Sequence, residues 1–460
     1  MGNAESGVLQ KRLARVSPAE TADIQRSFEN LCRVKNSSKK SLGLAAFQDS
    51  IGSSLSRAMS ERIFRGIQSE NAAGKTSPAT SEISKEQFTL FVIDIFRGTA
   101  DEKGAIAIHM MSSTEEVTGG QVQQFLEDLI SAVVYVLRCN NALRGWSLES
   151  TSDCESGTAI LATQLLSQLR PAGGQTLEGA ERLGSSYTPA CIADWLYKAP
   201  MVSVFLRTVV MLGLSLMKES TEYQLDLGSL VPKYKKGKTS SFRSLLDLPS
   251  IMFLNSHLPT DMQLRWRLLF STQIHGESFS QLCGHLVDQG PSLLVLRDSD
   301  GFIFGGFASQ NWEVKPQFQG DSRCFLFSAY PRLDIYTYTG YNDHYMYLNH
   351  GQQTMPNGLG MGGQHEYFGL WIDSNFGKGH SKAKPRCTTY NSPQLSAKED
   401  FTIDALEVWA LGELPESLQA KNKKSVLDAD PEVQALLEMT GKTRQSDGLR
   451  DKDDDDDEES

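Results

Sequence analysis

The region from Phe302 to Asp373 alternates short aromatic and β-branched runs with Gly, Asn and Asp turns, about every eight to twelve residues. This rhythm is typical of an antiparallel all-β unit, either a sandwich or a barrel. A hairpin is expected between Leu293–Leu296 and Phe302–Phe307, and a last strand at Leu406–Leu411. The polar residues here are of the types that form turns, which disfavours an enzyme.

The first half of the chain carries helical patterns instead. Ser17, Pro18 and Glu20 fit the N-cap, N1 and N3 positions of a helix. Ile24 and Phe28 follow at helical spacing. Further helices are expected over Ser84–Phe96, Thr118–Leu137, Leu161–Leu169, 191–217 and Ser250–Ser271. The predicted fold class is α+β, a helical N-terminal domain followed by an antiparallel β sandwich with flanking helices.

Three of these helices begin in a way that looks like an EF-hand. Calcium loops supply oxygen ligands from positions one, three, five and twelve, usually carboxylates. In one loop these positions would be Thr76, Pro78, Thr80 and Gln87, none of which is charged. The same alignment before Phe47 is worse. Paired helix-loop-helices without metal sites are therefore expected.

Composition disfavours several functional classes. The net charge of −11 is uneven, because residues 451–460 hold eight acidic residues and one lysine while the N-terminus is basic. This distribution does not suggest nucleic-acid binding. Seven cysteines without a CxxC pair favour reduced thiols in the cytosol. No signal peptide is visible, and the longest apolar run, Met201–Met217, is shorter than the roughly 20 residues that span a bilayer.

The N-terminus carries a lipidation pattern. The sequence MGNAES fits N-myristoylation of Gly2 after removal of Met1. One myristoyl chain binds membranes only marginally, so a second signal is needed. Lys11, Arg12 and Arg15 are expected to supply it at an anionic cytosolic leaflet, each contributing about 1 kcal/mol near the surface. The alternative is an N-terminus that packs as part of the helical domain.

A glycine-rich segment in the β region spells a nucleotide-binding motif. Gly358, Gly360 and Gly363 match GxGxxG, but a turn precedes them and a strand follows. No helix N-terminus would then face a phosphate, as the dinucleotide mechanism requires. These glycines are expected to allow positive φ and tight sheet packing.

Four histidines crowd the β region at spacings that fit no zinc pattern. Cys387 or Ser381 could form a nucleophile with a histidine, but no local signature supports one. Asp343 and His344 are expected to order a loop through hydrogen bonds. No cofactor, metal site or catalytic residue is predicted. An enzyme or redox-protective factor in peroxide defence or hydrolysis stays as the alternative class.

A short helix is expected near the C-terminus. Asp430 can cap it and Pro431 takes the N1 position. Its apolar stripe consists of Val433, Leu436 and Leu437. The stripe either folds back on the body or docks in a groove of another protein, and partner binding is the hypothesis carried forward.

Boundaries follow from these patterns. The lysine-rich connector after the helical domain is either solvated or a contact for an acidic surface, and the C-terminal run of acids is expected to be disordered. The predicted segments are a basic, myristoylated N-terminal segment (1–16), a helical EF-hand-like domain (17–217), a linker (218–244), the β domain (245–412), a second linker (413–429), a partner-binding helix (430–441) and an acidic tail (442–460).

The β region resembles the TLDc domain over residues 245–412. The residues that carry the resemblance are Gly290-Pro291, Phe304–Phe307, Trp312, Phe325–Phe327, Tyr336, Thr339-Gly340, Gly358–Gly363, Gly369–Asp373 and Leu406–Trp409. The entire chain is also similar to one member of that family, sharing the Met-Gly start, the helical half, the YNDHYMYLNHGQQ segment and the LDADPE helix.

The resemblance implies a two-sheet sandwich flanked by helices, without an established active site. It also implies binding to the vacuolar-type proton ATPase, a link to oxidative-stress resistance, and, from the similar member, a myristoylated protein of the lysosomal surface that supports mTOR signalling. Gly2 would be the acyl site. Asn342, Asp343 and His344 in the shared segment are expected partner contacts, together with the C-terminal stripe.

Overall fold

Helices and strands divide the chain much as the sequence patterns predict. The structure, a computed structural model, describes residues 10–33, 41–70, 82–148, 151–216, 227–234, 242–353 and 355–413. The α-helices are α1 (Pro18–Arg33), α2 (Leu44–Ile51), α3 (Arg57–Gln68), α4 (Lys85–Arg97), α5 (Ala100–Met111), α6 (Gly119–Cys139), α7 (Glu155–Leu166), α8 (Gly179–Gly184), α9 (Pro189–Lys198), α10 (Pro200–Gly213), α11 (Leu227–Leu230), α12 (Leu248–His257), α13 (Thr272–His275) and α14 (Phe279–Leu286).

The strands are concentrated in the second half. They are β1 (Ser41–Gly43), β2 (Glu82–Ser84), β3 (Val117–Thr118), β4 (Ser186–Tyr187), β5 (Lys233–Tyr234), β6 (Arg265–Ser271), β7 (Ser292–Asp298), β8 (Ile303–Ala308), β9 (Lys315–Gln319), β10 (Phe325–Tyr330), β11 (Asp334–Thr337), β12 (Met346–Asn349), β13 (Gly358–Gln364), β14 (Tyr367–Asp373), β15 (Lys378–His380) and β16 (Asp400–Leu411). The α+β class predicted from the sequence is confirmed.

Local hydrogen bonds explain where the helices begin. At the start of α1 the Glu20 N–H donates to Ser17 Oγ at 3.2 Å, and the Ser17 N–H donates to Glu20 Oε2 at 2.5 Å. α4, α5 and α6 begin with the same reciprocal capping box. The helix starts predicted at Ser17, Ser84 and Thr118 are confirmed.

Two short bridges join the helix-loop-helix units in pairs. β1 lies antiparallel to β2 with Leu42 opposite Ile83, and β3 lies antiparallel to β4 with Val117 opposite Tyr187. All four side chains are buried. Each bridge connects two loops, the arrangement expected for paired helix-loop-helices. Within the described ranges no group of three His, Cys, Asp or Glu side chains is placed to hold a metal ion, and loops 34–40 and 71–81 lie outside those ranges.

Two antiparallel sheets form the β region and share β16. The first has the order β11-β10-β8-β7-β16-β6, with β5 parallel to β6; the second has the order β16-β15-β14-β13-β12-β9. The expected hairpin is present, since β7 pairs with β8 and Leu296 lies opposite Phe304. The sheets pack face to face, as Leu296, Leu348 and Leu370 share one core.

The first sheet separates two hydrophobic cores. Leu294 of β7 packs inside the sandwich, whereas its neighbours Leu293 and Val295 pack into the core of the helices. On β16, Val408 faces the sandwich and Trp409 faces the helices. Because side chains alternate between the faces of a strand, a strand covered on both faces is apolar throughout. The layers are therefore helices, first sheet and second sheet, within one compact unit that ends at Gly412.

Part of the predicted 218–244 linker is packed into this unit. Leu230 and Val231 are buried. Tyr234 donates its backbone N–H to the Arg144 carbonyl at 2.8 Å, and Lys233 pairs with Arg265. For residues 227–234 the interpretation as a solvated connector is wrong, because their apolar side chains bridge the helices and the sheet.

The helix predicted over Ser250–Ser271 is shorter than expected. α12 ends at His257, and Pro259 disfavours a helical conformation for the residue before it. Trp266 and Phe270 lie on β6, opposite Leu411 and Val408. Their spacing of four fits one face of a helix but also one face of a strand, which has a period of two.

Candidate interaction surfaces

The structure separates the basic residues that the sequence assigns to a membrane contact. Lys11 is exposed. Arg12 is only 7% exposed, and its guanidinium contacts the carboxylates of Glu70 and Asp94. A guanidinium enclosed between two carboxylates cannot also face lipid headgroups. For Arg12 the structure therefore replaces the predicted membrane contact with an internal ion pair.

Arg15 occupies an intermediate position. It forms a bidentate pair with Glu102, at 2.6 Å from Nη1 to Oε2 and 2.9 Å from Nη2 to Oε1. Its Nη1 also lies 3.3 Å from Asp94 Oδ1, and the side chain keeps 27% of its surface exposed. Arg15 thus belongs to the same cluster as Arg12 but stands at its edge.

Burial and charge oppose each other in this cluster. Burial raises the pKa of Glu70 to about 7, although Arg12 pulls it down. Burial likewise raises the pKa of Asp94 against the same guanidinium. Burial acts to lower the pKa of Arg12, but its two carboxylates outweigh that effect and the pKa is raised, so Arg12 stays charged.

The 341–345 loop contains the three residues expected to meet a partner. Asn342 is used internally: its Oδ1 accepts from Thr389 Oγ1 at 2.6 Å and from the His344 N–H at 3.2 Å. The Nδ1–H of His344 donates to the Gly363 carbonyl, and its ring stacks on Phe318 with centroids 4.0 Å apart. The expectation that hydrogen bonds order the loop is confirmed for His344, whereas Asp343 takes part through its backbone carbonyl, which accepts from the Tyr345 N–H at 2.9 Å.

The loop still presents groups to solvent. Asp343 is exposed, and Tyr341, two residues before it, is 84% exposed. Tyr367 at the start of β14 is 57% exposed, and the Lys382 ammonium lies 5.9 Å from its ring centre. Sequence reasoning missed both tyrosines, because an aromatic residue in a strand-rich region is more often buried. Of the three predicted contacts, Asp343 is the one whose side chain is exposed.

The glycine motif serves sheet packing. A Cβ on Gly360 would lie 2.6 Å from the Phe368 ring, and one on Gly358 would lie 2.4 Å from the Trp371 ring. The aromatic rings of β14 therefore lie flat across the glycines of β13. Gly363 has a φ of 84° and Gly362 a φ of 70°, both in the region that favours glycine. The packing role predicted for the motif is confirmed.

An aromatic seam joins the helices to the first sheet. Trp409 of β16 packs against Trp146 (ring centroids 5.1 Å apart), Tyr234 (5.3 Å) and Trp266 (6.1 Å). These residues come from four separate parts of the chain. A cavity of about 350 Å³ beside the seam has Trp146 and Ile303 among its lining residues, so its walls come from both regions.

A buried carboxylate lies at this seam. Glu407 is 2% exposed, and its two oxygens accept hydrogen bonds from the Leu245 N–H (2.8 Å), Ser244 Oγ (2.8 Å) and Trp409 Nε1 (3.2 Å). Burial raises the pKa of Glu407 to about 7, although these donors act in the opposite direction. Glu407 thus connects residues 244–245 to the sheet through hydrogen bonds. Within the described part of the chain, no cation forms a direct ion pair with it.

The groups considered as nucleophiles have structural roles. Ser381 Oγ donates to the Gly369 carbonyl at 2.7 Å and accepts from the Leu395 N–H at 2.9 Å. Burial raises the pKa of Cys387, and also that of Cys324, which hydrogen-bonds Ser309. A buried thiol with a raised pKa is a poor nucleophile.

Several predicted sites lie outside the described residues. These are Gly2, Val433, Leu436 and Leu437. Across the described part of the chain, no single helix has the length and apolar character needed to cross a bilayer. The pair α9 and α10 passes that test only as two helices bent by 93°. Trp195 of α9 and Phe205 of α10 are buried in the helical core, whereas Tyr197 of α9 is 79% exposed.

Comparison with known proteins matches both halves of the chain. A family model described as the TLDc domain matches residues 239–412. Over 452 residues the chain is 62% identical to the Xenopus laevis protein named MTOR-associated protein MEAK7, covering 98% of both chains. It is 48% identical over 459 residues to the Homo sapiens protein of the same name, covering 99% of this chain and 100% of the relative.

A more distant similarity covers less than half of the chain. The Bos taurus protein named Oxidation resistance protein 1 is 34% identical over 202 residues, which cover 42% of this chain and 21% of that relative. The family match begins at residue 239, six residues before the start predicted for the β domain.

Proposed function

Since this chain belongs to the TLDc-domain family, alongside the vertebrate proteins named MTOR-associated protein MEAK7, we propose that it is a non-enzymatic adaptor that supports mTOR signalling. The observation that carries this proposal is the 62% identity over 98% of both chains. A similarity of that extent includes the helical region, the β domain and the residues beyond Gly412. The adaptor role would therefore involve the whole chain and not the TLDc domain alone.

The partner proposed for the β domain is the vacuolar-type proton ATPase, by analogy with the family. The exposed pair Tyr341 and Asp343 supports a contact at the 341–345 loop, because His344 and Asn342 hold that loop in place. A rigid loop loses little conformational freedom on binding. The stripe of Val433, Leu436 and Leu437 would supply a second contact, and two linked contacts bind strongly by effective concentration.

The proposed location is the cytoplasmic face of the lysosomal membrane. Myristoylation of Gly2 would anchor the chain, and the exposed Lys11 supports an additional contact with anionic lipids. Arg12 is left out of this contact because it is buried. Replacing Gly2 with Ala should move the protein from the lysosomal fraction to the cytosol without changing its fold.

The second candidate is a redox-protective factor, which the similarity to Oxidation resistance protein 1 favours. A thiol-based reaction would need an exposed cysteine with a lowered pKa. In the β region the pKa values of Cys283, Cys324 and Cys387 are all raised by burial. Cys387→Ser and His344→Ala should leave peroxide consumption unchanged. If either variant lost that activity while it still bound the pump, the result would support the enzyme class.

A pull-down from detergent-solubilised lysosomes tests the adaptor proposal. The baits are the intact chain, Gly2→Ala and a truncation after Gly412. Pump subunits should be recovered with the intact chain and with Gly2→Ala, and should be reduced by the truncation. Absence of pump subunits with all three baits would contradict the proposed partner.

The C-terminal stripe has its own test. Leu436→Asp combined with Leu437→Asp should weaken pump recovery and leave the melting temperature unchanged, since these residues would contact the partner and not the body. Lost thermal stability with intact recovery would show instead that the stripe packs on the body.

A further inference from the structure

The N-terminal segment of residues 10–16 is fixed to the helices by charge. Arg12 contacts Glu70, which follows α3, and Asp94 in the last turn of α4. Both partners are buried, with Asp94 only 1% exposed. Arg12 therefore joins one short segment to two helices that lie 58 and 82 residues away in sequence.

Further contacts hold the same segment. Arg15 bridges Asp94 and Glu102, the N3 residue of the capping box at the start of α5. The Arg97 guanidinium donates to the Arg15 carbonyl at 2.7 Å and to Glu20 Oε1 at 2.7 Å. Three arginines and four carboxylates thus connect residues 12–20 with α4 and α5. Hydrogen bonds from the N–H groups of residues 14–16 to residues 10–13 close a turn between them.

Removing Arg12 from this cluster would take the contacting guanidinium from Glu70 and would leave Asp94 with only the 3.3 Å contact to Arg15. Breaking a buried ion pair by loss of one partner is strongly destabilising, whereas an exposed pair contributes little. The geometry is therefore that of a segment held in place by buried ion pairs, and not that of a flexible basic arm. Lys11, the neighbouring cation, is exposed and has no such role.

We propose that the ion pairs of Arg12 with Glu70 and Asp94 form a latch. This latch would set the length of the membrane tether, the stretch of chain between the acyl site and the first residue fixed to the helices. The proposal rests on the proposed acylation of Gly2. With the latch closed, ten Cα–Cα steps lead from the acyl site at Gly2 to the fixed point at Arg12, a span of at most about 35 Å. With the latch open, the tether would extend to Pro18 at the start of α1, a span of at most about 55 Å. The latch would thus keep the helical region close to the bilayer.

The neighbouring cations provide a matched pair of variants. Arg12→Ala and Lys11→Ala each remove one positive charge. The two positions are adjacent in sequence, but Arg12 is buried and Lys11 is exposed. The probes are phosphatidylcholine vesicles with and without phosphatidylserine, carrying an acceptor lipid. A donor dye on the exposed Cys139, in a Cys32→Ser background of the myristoylated full chain, reports the distance to the membrane.

The two variants should change different quantities, the affinity for vesicles in Lys11→Ala and the energy transfer in Arg12→Ala. Lys11→Ala should weaken binding to the phosphatidylserine vesicles about five-fold and leave energy transfer at saturation unchanged. Arg12→Ala should keep the phosphatidylserine dependence and show reduced, more broadly distributed energy transfer. Equal losses of affinity in both variants, with unchanged energy transfer, would overturn the latch.

Hydrogen exchange in solution tests the latch without a membrane. The N–H groups of residues 14–16 should exchange faster in Arg12→Ala than in wild type or Lys11→Ala. Unchanged exchange would overturn the latch even if acylation is confirmed. Vesicle binding that is equal for wild type and Gly2→Ala would instead remove the proposed anchor, and the exchange result would still decide whether Arg12 fastens the segment.

A milder variant covers the case in which Arg12→Ala unfolds the helical region, as a thermal melt would reveal. Arg15→Gln removes the pairs at the edge of the cluster and leaves Arg12 between its two carboxylates. It should raise exchange at residues 15–16 by a smaller factor and lower energy transfer slightly. Loss of all protection at residues 14–16 in a folded Arg15→Gln would overturn the latch, because Arg12 would still be in place and would not hold the segment.

Discussion

The helical region and the β region bury charge in different ways. The helical region encloses an arginine between two carboxylates, Arg12 with Glu70 and Asp94. The β region encloses Glu407, which is held by a hydroxyl, an amide and an indole N–H. Ion pairs across distant elements fix where a segment lies, whereas neutral donors tolerate a proton on the carboxylate. The first arrangement fixes the position of the N-terminal segment, and both make stability depend on pH, because burial raises the pKa of Glu70 and of Glu407 to about 7.

The two regions share one seam, so they are expected to unfold together. Trp409 from the sheet and Trp146 from the helical half lie in the same core. Domains with a large apolar interface lose their independence. Wild type should show one cooperative thermal transition, by calorimetry and by circular dichroism.

The largest expected effect comes from breaking that seam. Trp409→Ala removes a fully buried ring that contacts Trp146, Tyr234 and Trp266. Such a truncation costs about 3–5 kcal/mol. We expect calorimetry to show a lower melting temperature and two separated transitions. A single transition at a lower temperature would mean that other contacts couple the regions.

The next effect tests the buried carboxylate. Because the pKa of Glu407 is raised to about 7 in the folded protein, the folded state binds this proton more tightly than the unfolded state. Its favourable contribution is present at low pH and is lost as pH rises toward 7. Relative to Glu407→Gln, wild type should lose on the order of 3 kcal/mol between about pH 5 and pH 8.

The comparison with Glu407→Gln is needed because other groups also make stability depend on pH. The pKa of Glu70 is likewise raised to about 7, so that group acts in the same direction, whereas His380 acts in the opposite one. Burial lowers the pKa of His380 to about 4, so that group costs stability as pH falls below its ordinary pKa. Urea denaturation of both proteins across this pH range isolates Glu407. Parallel pH profiles would show that its carboxyl titrates alike in the folded and unfolded chains.

A smaller effect tests how the second sheet is packed. Gly360→Ala would place a Cβ 2.6 Å from the Phe368 ring, and overpacking of this kind costs about 1–3 kcal/mol. Gly284 in α14 is the matched control, because a Cβ there meets nothing within 4 Å. Gly284→Ala should stabilise the protein by about 0.5–1 kcal/mol. Equal melting temperatures for the two variants would contradict the role of the glycines in aromatic packing.

The smallest effect on stability is expected at the exposed loop. Tyr341→Ala removes a side chain that is 84% exposed, so the free energy of unfolding should change by less than about 0.5 kcal/mol. Pump recovery should nevertheless fall if the loop contacts the partner. Ile274→Ala, at an exposed position elsewhere on the β region, is the control that should leave recovery intact.

Local signals predicted much of this fold. The capping residues Ser17, Ser84 and Thr118 are adjacent in sequence to the turns they stabilise, and the β7–β8 hairpin closes over a few residues. Strand periodicity predicted the sandwich, and the GxGxxG context correctly pointed to packing. These features depend on neighbours within about five residues, which sequence patterns record.

Contacts between distant residues could not be predicted in this way. No sequence pattern around Arg12 indicates that its guanidinium will contact Asp94. Likewise, Trp146 contacts Trp409 although the two are 263 residues apart. The strand β6 was mistaken for a helix because its spacing of four fits both structures. For the candidate surface, the sequence suggested the 341–345 segment but not which side chains point outward, since the hydrogen bonds to Thr389 and Gly363 decide that.

The most direct test of the adaptor proposal is a binding titration of the purified full chain against purified vacuolar-type proton ATPase in detergent. Without a bilayer, the contribution of a lipid anchor is removed and only the protein contact is measured. Saturable binding that is weakened by Tyr341→Ala and by truncation after Gly412, but not by Gly2→Ala, is the predicted result. No saturable binding by the folded chain would contradict the proposal that the pump is its partner.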